Sequence, residues 1–293
     1  MFYMTGFFPS SSAVLLLQPE PHLFISKMDA VVAESAGVDF TVLENFEKEL
    51  KLEASTVAVE KKYTSLDFYE KFLKGKKLLD MDFIEKMRLV KEKKETEEIK
   101  RALDIARSAI KGIVYRGLSE REAAASLEYE IKRKADVAFE AIVASGENSA
   151  IPHHLPADRI IGEGDTVIVD AGARFNHYNS DVTRTFTDSK IYETVLRAQK
   201  AGIEECYAGN DIKNVDIAVR KVLKKEGLED FFLHSSGHGI GLEVHEPPRL
   251  SSDENGKFKK GMVVTVEPGV YKKYGIRVED MILIRKNPKV LGR

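Results

Sequence analysis

Two histidines stand where their types and spacing could do chemistry. His238 and His245 lie seven residues apart in the glycine-rich stretch "SSGHGIGLEVHEPPR", residues 235–249. This is not the helical His-Glu-x-x-His zinc signature, because glycines at 237, 239 and 241 disfavour a helix. We therefore expect an extended segment that presents both imidazoles from a strand or loop.

Four acidic residues come in two pairs beside strand-like runs. Asp170 ends the apolar run 166–169, and Asp181 follows eleven residues later, so two adjacent strands could bring both carboxylates together. Glu267 interrupts "VVTVEPG", and Glu279 interrupts "IRVEDMILI". Burying four carboxylates near one another is prohibitive unless cations neutralise them.

A dinuclear metal site would provide that neutralisation, with two divalent ions about 3.5–4 Å apart. His238 would supply the imidazole, and hard oxygens with one nitrogen suit Mn, Co, Fe or Zn. Each residue also has an ordinary interpretation: an Asp as a turn or cap residue, a Glu on a solvated strand face, a His as a hydrogen-bonded structural residue. Residue types and spacing alone leave both interpretations open.

The elements that would position these residues alternate twice along the second part of the chain. Two helices come first, and a Ser119–Glu122 capping box introduces the second of them. The strand pair "DTVIVDAGAR" and "HYNSDVTRTFT" follows. Two more helices, the second ending at Gly227, precede the pair "GMVVTVEPGVY" and "GIRVEDMILI". This repeat predicts two similar halves that face each other.

The first part of the chain has no clear chemical motif. Residues 13–26 read as two short strands around a Pro-containing turn, and helix-like and strand-like segments then alternate to about residue 80. We place the domain boundary between residues 84 and 85, where a charge-rich helix leaves the first domain. Apolar residues recur in that helix at helical spacing, namely Ile99, Leu103, Ala106 and Ile110.

Composition bounds the class of protein. A length of 293 residues favours two domains, and a net charge of −2 gives no case for nucleic acid or an anionic membrane. The single cysteine, Cys206, excludes an intramolecular disulfide and fits a reducing compartment. No run approaches the roughly 18 apolar residues of a transmembrane helix. We therefore expect a cytoplasmic globular protein.

From about Met81 onward, the sequence resembles the pita-bread metallopeptidases, a superfamily that includes methionine aminopeptidase, aminopeptidase P and prolidase. The strings that carry the resemblance occur in family order: "ASGENSAIPHH", "VIVDAGARFNHYNSDVTRTF", "HSSGHGIGLEVHEPPR", "VVTVEPGVY" and "GIRVEDMILI". They are most similar to prolidase and related Xaa-Pro peptidases. The upstream string "FYMTGF" resembles the N-terminal domain of those enzymes.

The resemblance implies an α+β architecture in two domains. Residues 85–293 would form a pita-bread (creatinase/aminopeptidase-like) catalytic domain with pseudo-twofold halves. Residues 1–84 would form a smaller α/β domain of the creatinase/prolidase type. Family members usually carry a helix and a first strand before the "YMTGF"-like string, so the expected N-terminal domain lacks its usual start.

Carried over position by position, the resemblance also implies two divalent metal ions (Mn, Co, Zn or Fe) per chain. Asp170 would bind one metal, and Asp181 and Glu279 would bridge both. His238 and Glu267 would bind the second metal. The glycines around His238 are expected to let the backbone pass close to the metals.

The resemblance further implies groups that act on substrate. Glu267 would shuttle protons, His245 would hydrogen-bond the scissile carbonyl, and His153 in "PHH" would line the substrate site. Arg249 in "HEPPR" would bind the C-terminal carboxylate of a dipeptide, and Arg277 would hold the ligand carboxylates. The remaining histidines are interpreted as surface, supporting or structural residues: His22, His154, His177 and His234.

The implied reaction is metal-dependent hydrolysis of the peptide bond before proline in dipeptides or short peptides. Arg249 favours an Xaa-Pro dipeptidase (prolidase), because a dipeptidase must recognise both free termini. An Xaa-Pro aminopeptidase acting on longer peptides is one alternative. A non-catalytic or non-hydrolytic pita-bread protein is another, although such relatives usually lose metal ligands and all five ligand types stand here. Relatives are commonly homodimers, and we carry that over as an expectation.

Overall fold

The chain forms two compact units, residues 1–88 and residues 89–293. The computed structural model describes residues 2–17, 20–34 and 38–292. Within these ranges every helix is too short or too polar to span a lipid bilayer.

The N-terminal unit combines short strands and helices around a small apolar core. Its elements are α1 (Phe2–Thr5), β1 (Ala13–Leu16), β2 (His22–Ser26), a 3₁₀ turn (Lys27–Asp29), α2 (Ala30–Ala33), β3 (Asp39–Leu43), α3 (Phe46–Glu49), β4 (Thr56–Val59), α4 (Leu66–Phe68), a π-helical turn (Tyr69–Leu73), β5 (Lys77–Asp80) and α5 (Phe83–Arg88). Strands β1 and β2 pair antiparallel, β3 joins β2 in parallel, and β4 and β5 form a separate parallel pair. The two strands expected within residues 13–26 are confirmed, and residues 18–19 of their turn lie outside the described residues.

Four long helices pack on the strands of the C-terminal unit. They are α6 (Lys93–Gly112), α7 (Glu120–Lys132), α8 (Ile191–Glu204) and α9 (Lys213–Lys225). The apolar stripe predicted for α6 is confirmed, because all four of its members are buried: Ile99, Leu103, Ala106 and Ile110. They share one core with α7 and the strands behind them.

Two helix ends have the chemistry that the sequence predicts. At the start of α7, Ser119 Oγ accepts from the Glu122 backbone N–H at 3.2 Å, and Glu122 accepts from the Ser119 backbone N–H at 2.8 Å. At the end of α9, Gly227 adopts a left-handed φ of 66°. The Leu228 N–H then donates to the carbonyl of Leu223 at 2.9 Å, which is the Schellman arrangement.

The strands of the C-terminal unit form small antiparallel sheets. They are β6 (Asp136–Val137), β7 (Ile142–Ser145), β8 (Val167–Ala171), β9 (Ala173–Phe175), β10 (Tyr178–Asn179), β11 (Val182–Phe186), β12 (His238–Gly239), β13 (Glu246–Arg249), β14 (Val263–Val266), β15 (Gly269–Tyr271), β16 (Gly275–Arg277), β17 (Asp280–Leu283) and β18 (Lys289–Val290), with 3₁₀ turns at Gly146–Ala150 and Glu229–Phe231. The sheet orders are β11-β8-β7, β10-β9-β6, β13-β12-β14-β17-β18 and β15-β16. Each half therefore has two helices followed by antiparallel strands, and the predicted α+β repeat is confirmed.

The two halves meet where the acidic residues lie. In the first half, Thr183 of β11 stands opposite Asp170 of β8. In the second half, continuing the register of β14 and β17 by one residue sets Glu267 opposite Glu279. The Glu279 backbone N–H donates to the Thr183 carbonyl at 3.2 Å, and this hydrogen bond helps to join the two strand pairs.

Replacing Gly227 with Ala tests the end of α9. Nothing lies within 4 Å of the added Cβ, so the cost comes from the left-handed backbone. We expect the free energy of unfolding to fall by about 1 kcal/mol, measured by urea denaturation at a fixed metal concentration.

Gly112→Ala is the matched control, because its added Cβ also meets open space but its backbone is helical. That change should raise the free energy of unfolding by about 0.5–1 kcal/mol. Equal stabilisation by both substitutions would contradict the left-handed cap.

Candidate metal centre

The five predicted metal ligands sit at strand ends or beside them. Asp170 is the fourth residue of β8, and Asp181 directly precedes β11. His238 begins β12, Glu267 directly follows β14, and Glu279 directly precedes β17. Each antiparallel strand pair thus contributes two carboxylates, and the imidazole enters from a third direction.

The side chains of these residues converge on one space. Donor atoms of Asp181, His238 and Glu279 all lie within 4.8 Å of one another. The Nε2 atom of His238 is 3.4 Å from Glu267 Oε1 and 3.7 Å from Asp181 Oδ2. Both distances exceed the usual hydrogen-bond length, so the groups face one another without bonding directly. Asp170 acts electrostatically on Asp181 and Glu279 from the same space.

The hydrogen-bonding of the carboxylates fits a cation. Three buried carboxylate oxygens lack a hydrogen-bond partner among the described residues: Asp170 Oδ1, Asp181 Oδ1 and Glu279 Oε1. All three belong to predicted ligands. Buried polar atoms are normally satisfied, so a group of unsatisfied oxygens directed into one space needs a partner from outside the chain. Divalent cations are partners of the right charge and preference.

The electrostatics lead to the same requirement. Burial raises the pKa of Asp181 well above its usual value, and the charge of Glu279 raises it further. Burial and the charge of Glu267 likewise raise the pKa of Glu279, and burial raises that of Glu267. Without a cation these groups therefore favour their neutral forms. In their ionised forms, these groups need a nearby positive charge to offset their mutual repulsion.

His238 is oriented as a ligand imidazole would be. Its Nδ1–H donates to the Gly239 carbonyl at 3.0 Å, which leaves the lone pair of Nε2 directed at the carboxylates. Burial lowers the pKa of the ring, so it is neutral near pH 7. A neutral imidazole with a fixed tautomer can coordinate metal.

Two threonines support the carboxylates, and reasoning from the sequence did not single them out. Thr183 Oγ1 donates to Glu279 Oε2 at 2.9 Å, and Thr265 Oγ1 donates to Glu267 Oε1 at 3.3 Å. Thr183 lies two residues after Asp181, and Thr265 lies two before Glu267. Alternate residues of a strand face the same side, so strand alternation was the signal that could have found them.

A buried arginine ties the site to a polar chain behind it. Arg277 Nη2 donates to Asp170 Oδ2 at 2.7 Å, and Arg277 Nη1 donates to the Tyr271 hydroxyl at 2.8 Å. The Tyr271 hydroxyl lies 2.9 Å from Nε2 of His234, whose Nδ1–H donates to the Ser235 carbonyl. His234, interpreted from sequence as structural, is thus linked through two side chains to a predicted ligand.

The glycines around His238 approach neighbouring strands. A Cβ on Gly237 would lie 2.1 Å from the Thr265 carbonyl oxygen, and one on Gly239 would lie 2.1 Å from the Pro247 carbonyl oxygen. The sequence predicted that these glycines let the backbone pass close to metal. The structure instead shows a close approach to the backbone of the segments beside β12. Packing of β12 between its neighbours accounts for these glycines.

The predicted substrate-binding residues lie around this centre. His245 is exposed, and its ring centroid is 4.3 Å from that of His238. Partial desolvation and His238 lower its pKa, so it is a neutral ring. His153 is exposed and acts electrostatically on His245. Arg249 stands opposite His238 in the β12–β13 register, and its guanidinium forms no hydrogen bond or ion pair with the described side chains. The catalytic and binding roles of these residues stay predictions.

Comparison with known proteins gives matches over the whole chain. Residues 97–286 match the model of metallopeptidase family M24, and residues 1–90 match that of the creatinase/prolidase N-terminal domain. An Xaa-Pro dipeptidase of Pyrococcus furiosus is 37% identical over 309 aligned residues, covering 98% of this chain and 88% of the relative.

Solved structures agree with the sequence matches. A prolidase from Pyrococcus furiosus has a TM-score of 0.92 at 36% identity and covers 100% of this chain and 93% of that chain. An X-Pro aminopeptidase from Thermotoga maritima has a TM-score of 0.88 at 30% identity, covering 100% of this chain and 91% of that chain.

The raised pKa values predict how pH affects the metal-free protein. The folded-state pKa values of Asp181, Glu267 and Glu279 lie above the unfolded values of about 3.9 for Asp and 4.3 for Glu. The folded state therefore binds more protons, and its free energy of unfolding should fall as the pH rises from about 4 through the folded pKa values. Added Mn or Co should restore stability, and more at about pH 8 than at about pH 5, since protons compete with the cation. Thermal unfolding with and without EDTA measures both effects.

Two neighbouring variants serve as controls. Glu279→Gln removes one buried, unpaired charge, so the metal-free variant should lose less stability with pH and gain less from cation. Asp280 is equally buried but accepts from Arg184 at 2.8 Å, so Asp280→Asn should lower stability at every pH. A metal-free melting temperature that does not change with pH would contradict the electrostatic account of the site.

Proposed function

The chain belongs to metallopeptidase family M24, and from that premise we propose that it hydrolyses the peptide bond before proline, as an Xaa-Pro dipeptidase. The observation that carries the proposal is the set of buried carboxylate oxygens without a partner among the described residues, gathered around His238, with Arg249 opposite it in the β12–β13 register. The near full-length similarity to a relative named Xaa-Pro dipeptidase supports the substrate class.

We propose that two divalent cations, of Mn, Co, Zn or Fe, bind between the two strand pairs. Their ligands would be five side chains: Asp170, Asp181, His238, Glu267 and Glu279. When bound, such cations supply a water molecule of lowered pKa and polarise the scissile carbonyl. The oxygen-rich set with one imidazole suits first-row divalent metals.

Glu267 is proposed to move the proton. Burial raises its pKa, and Thr265 holds one of its oxygens, so the carboxylate is fixed in place and its proton affinity is increased. Such a group can accept a proton from the attacking water and return it to the proline nitrogen as the peptide bond breaks.

Two exposed histidines are proposed to contact the substrate. His245 is neutral and next to His238, so its N–H can donate to the carbonyl oxygen as negative charge develops there. His153 lies in the segment before β8 and is exposed toward solvent, where it can line the substrate site. Neither side chain needs to bind metal for this.

Arg249 is proposed to select dipeptides. Its guanidinium lacks an ion pair among the described side chains, and it shares a strand pair with His238. A free C-terminal carboxylate on proline would form a charged hydrogen bond with it, whereas a longer peptide has an amide there. An Xaa-Pro aminopeptidase remains the alternative that the similarity to the Thermotoga maritima structure supports.

We also propose the wider setting of the enzyme. Residues 85–293 would act as the catalytic domain, and residues 1–84 as a smaller N-terminal domain. The protein would work in the cytoplasm as a homodimer, with no nucleic-acid or membrane partner. The buried free thiol of Cys206 fits a reducing compartment.

Metal-dependent turnover is the direct test of the function. The protein loaded with Mn or Co should hydrolyse Xaa-Pro dipeptides and lose this activity in EDTA. Asp181→Ala should lower kcat/KM by more than about 100-fold, because even losing a side chain that supports a ligand costs about 10- to 100-fold. Asp188→Ala, at an exposed position after β11, is the control. Full turnover by the EDTA-treated protein would sink the proposal.

The length preference of the enzyme tests Arg249. Arg249→Met should raise KM for Xaa-Pro dipeptides by about 10- to 100-fold, the worth of one charged hydrogen bond. Turnover of Xaa-Pro tripeptides should change little, and Arg249→Lys should recover part of the loss. If the Met variant harms dipeptides and tripeptides equally, the dipeptidase assignment is wrong.

A further inference from the structure

A buried carboxylate fastens both ends of the segment that carries His153. Glu120, the first residue of α7, has a fully buried side chain. At one end of the segment it accepts from the backbone N–H and the hydroxyl of Ser145, both at 2.7 Å. At the other end it accepts from His154 Nε2 at 2.8 Å and the Ala157 N–H at 3.1 Å. The amide of Asn148 donates to both of its oxygens at 3.1 Å.

The charge of this carboxylate suits the donors around it. Burial alone would raise the pKa of Glu120, but hydrogen bonds from Ser145, His154 and Ala157 lower it below its usual value. The ionised group then accepts every bond, and the Nε2 of His154 carries the proton that it donates. A hydrogen bond to a buried charged acceptor is stronger than one to a neutral acceptor.

Helix capping does not explain this arrangement. The capping box of α7 is made by Ser119 and Glu122, one residue before and two after Glu120. The carboxylate of Glu120 is instead committed to residues 25 to 37 positions further along the chain. Its contacts therefore serve the segment rather than the end of the helix.

Arg277 also holds the same segment. The carbonyl of Pro152 accepts from Arg277 Nη1 at 3.0 Å, and Arg277 Nη2 binds the predicted ligand Asp170. His153 thus lies between Pro152, which is bound by Arg277, and His154, which is bound by Glu120. Both flanking residues are fixed, while the ring of His153 itself is exposed.

We propose that Glu120, acting through His154, is a positioning residue that sets the place of His153 relative to the metal centre. The proposal rests on the proposed function, in which His153 contacts the Xaa-Pro substrate. Loss of the clamp lets the segment shift while the metal ligands stay in place. Small displacements of a group that contacts the reacting substrate cost about 10- to 100-fold in rate.

The test compares two variants of the clamp with a matched control. Glu120→Gln turns one oxygen into a donor that faces other donors, whichever oxygen is replaced. His154→Phe keeps a ring and removes its hydrogen bond, and it carries the test if the Gln variant fails to fold. Glu122→Gln makes the same chemical change in the same helical turn, keeps the capping box and does not touch the segment.

Activity in two backgrounds gives the main readout. We expect kcat/KM for an Xaa-Pro dipeptide to fall about 10- to 100-fold in both clamp variants, with the bound metal unchanged and Glu122→Gln near wild type. In a His153→Ala background the clamp substitutions should have no further effect. An equal fold loss in that background, or the same loss in Glu122→Gln, would overturn the proposal, since the residue would then act on general stability.

Hydrogen exchange separates this proposal from the proposed function. Amides of residues 146–157 should exchange faster in the His154→Phe protein than in wild type, with the exchange of β8 and β11 unchanged. Lack of Xaa-Pro turnover by wild-type protein would reject the function, and faster exchange confined to that segment would still support the clamp. Unchanged exchange in both clamp variants would overturn the clamp.

Discussion

Carboxylates that face one another away from water repel, and this repulsion is the constraint around which the C-terminal unit is organised. Asp181 and Glu279 are almost fully buried, and the charges of Asp170 and Glu267 raise the pKa of both. Arg277 binds Asp170 directly, and its charge lowers the pKa of the other three carboxyl groups, but the effect of burial is larger and their pKa values stay raised. A cation bound among these carboxylates would offset the cost of burying them together. The stability of the unit and its chemistry therefore depend on the same atoms.

Each half of the unit contributes an equivalent part of this arrangement. A strand pair in each half presents two acidic residues, and a threonine two residues from one of them donates to a carboxylate. The threonine of the first half bonds the glutamate of the second, so the support crosses between halves. His238 breaks the symmetry, because it lies on β12, whose counterpart in the first half, β7, carries no predicted ligand. An asymmetric site on a symmetric frame can give two ions different surroundings.

The order of elements and the five ligand candidates could be predicted because they depend on local patterns and on residue types that are costly to bury. The apolar stripe of α6, the Ser119–Glu122 cap and the glycine after α9 are readable within a few residues. Glu120 could not be identified in this way. An acidic residue in the first turn of a helix is ordinary, and its partners become visible only once the chain has folded. The glycines beside His238 were recognised as special, but the backbone they pack against belongs to distant strands.

Among the hydrogen bonds between the halves, the one from Thr183 to Glu279 spans 96 positions of sequence, and the Arg277–Asp170 pair spans 107. Contacts of such high sequence separation form late in folding, because much of the chain must lose conformational entropy before the contact can contribute any stability. If the five proposed residues are the ligands, the chain must extend past residue 279 before the full set can assemble. On that ligand set, the complete site is a property of the whole C-terminal unit and of no single segment within it.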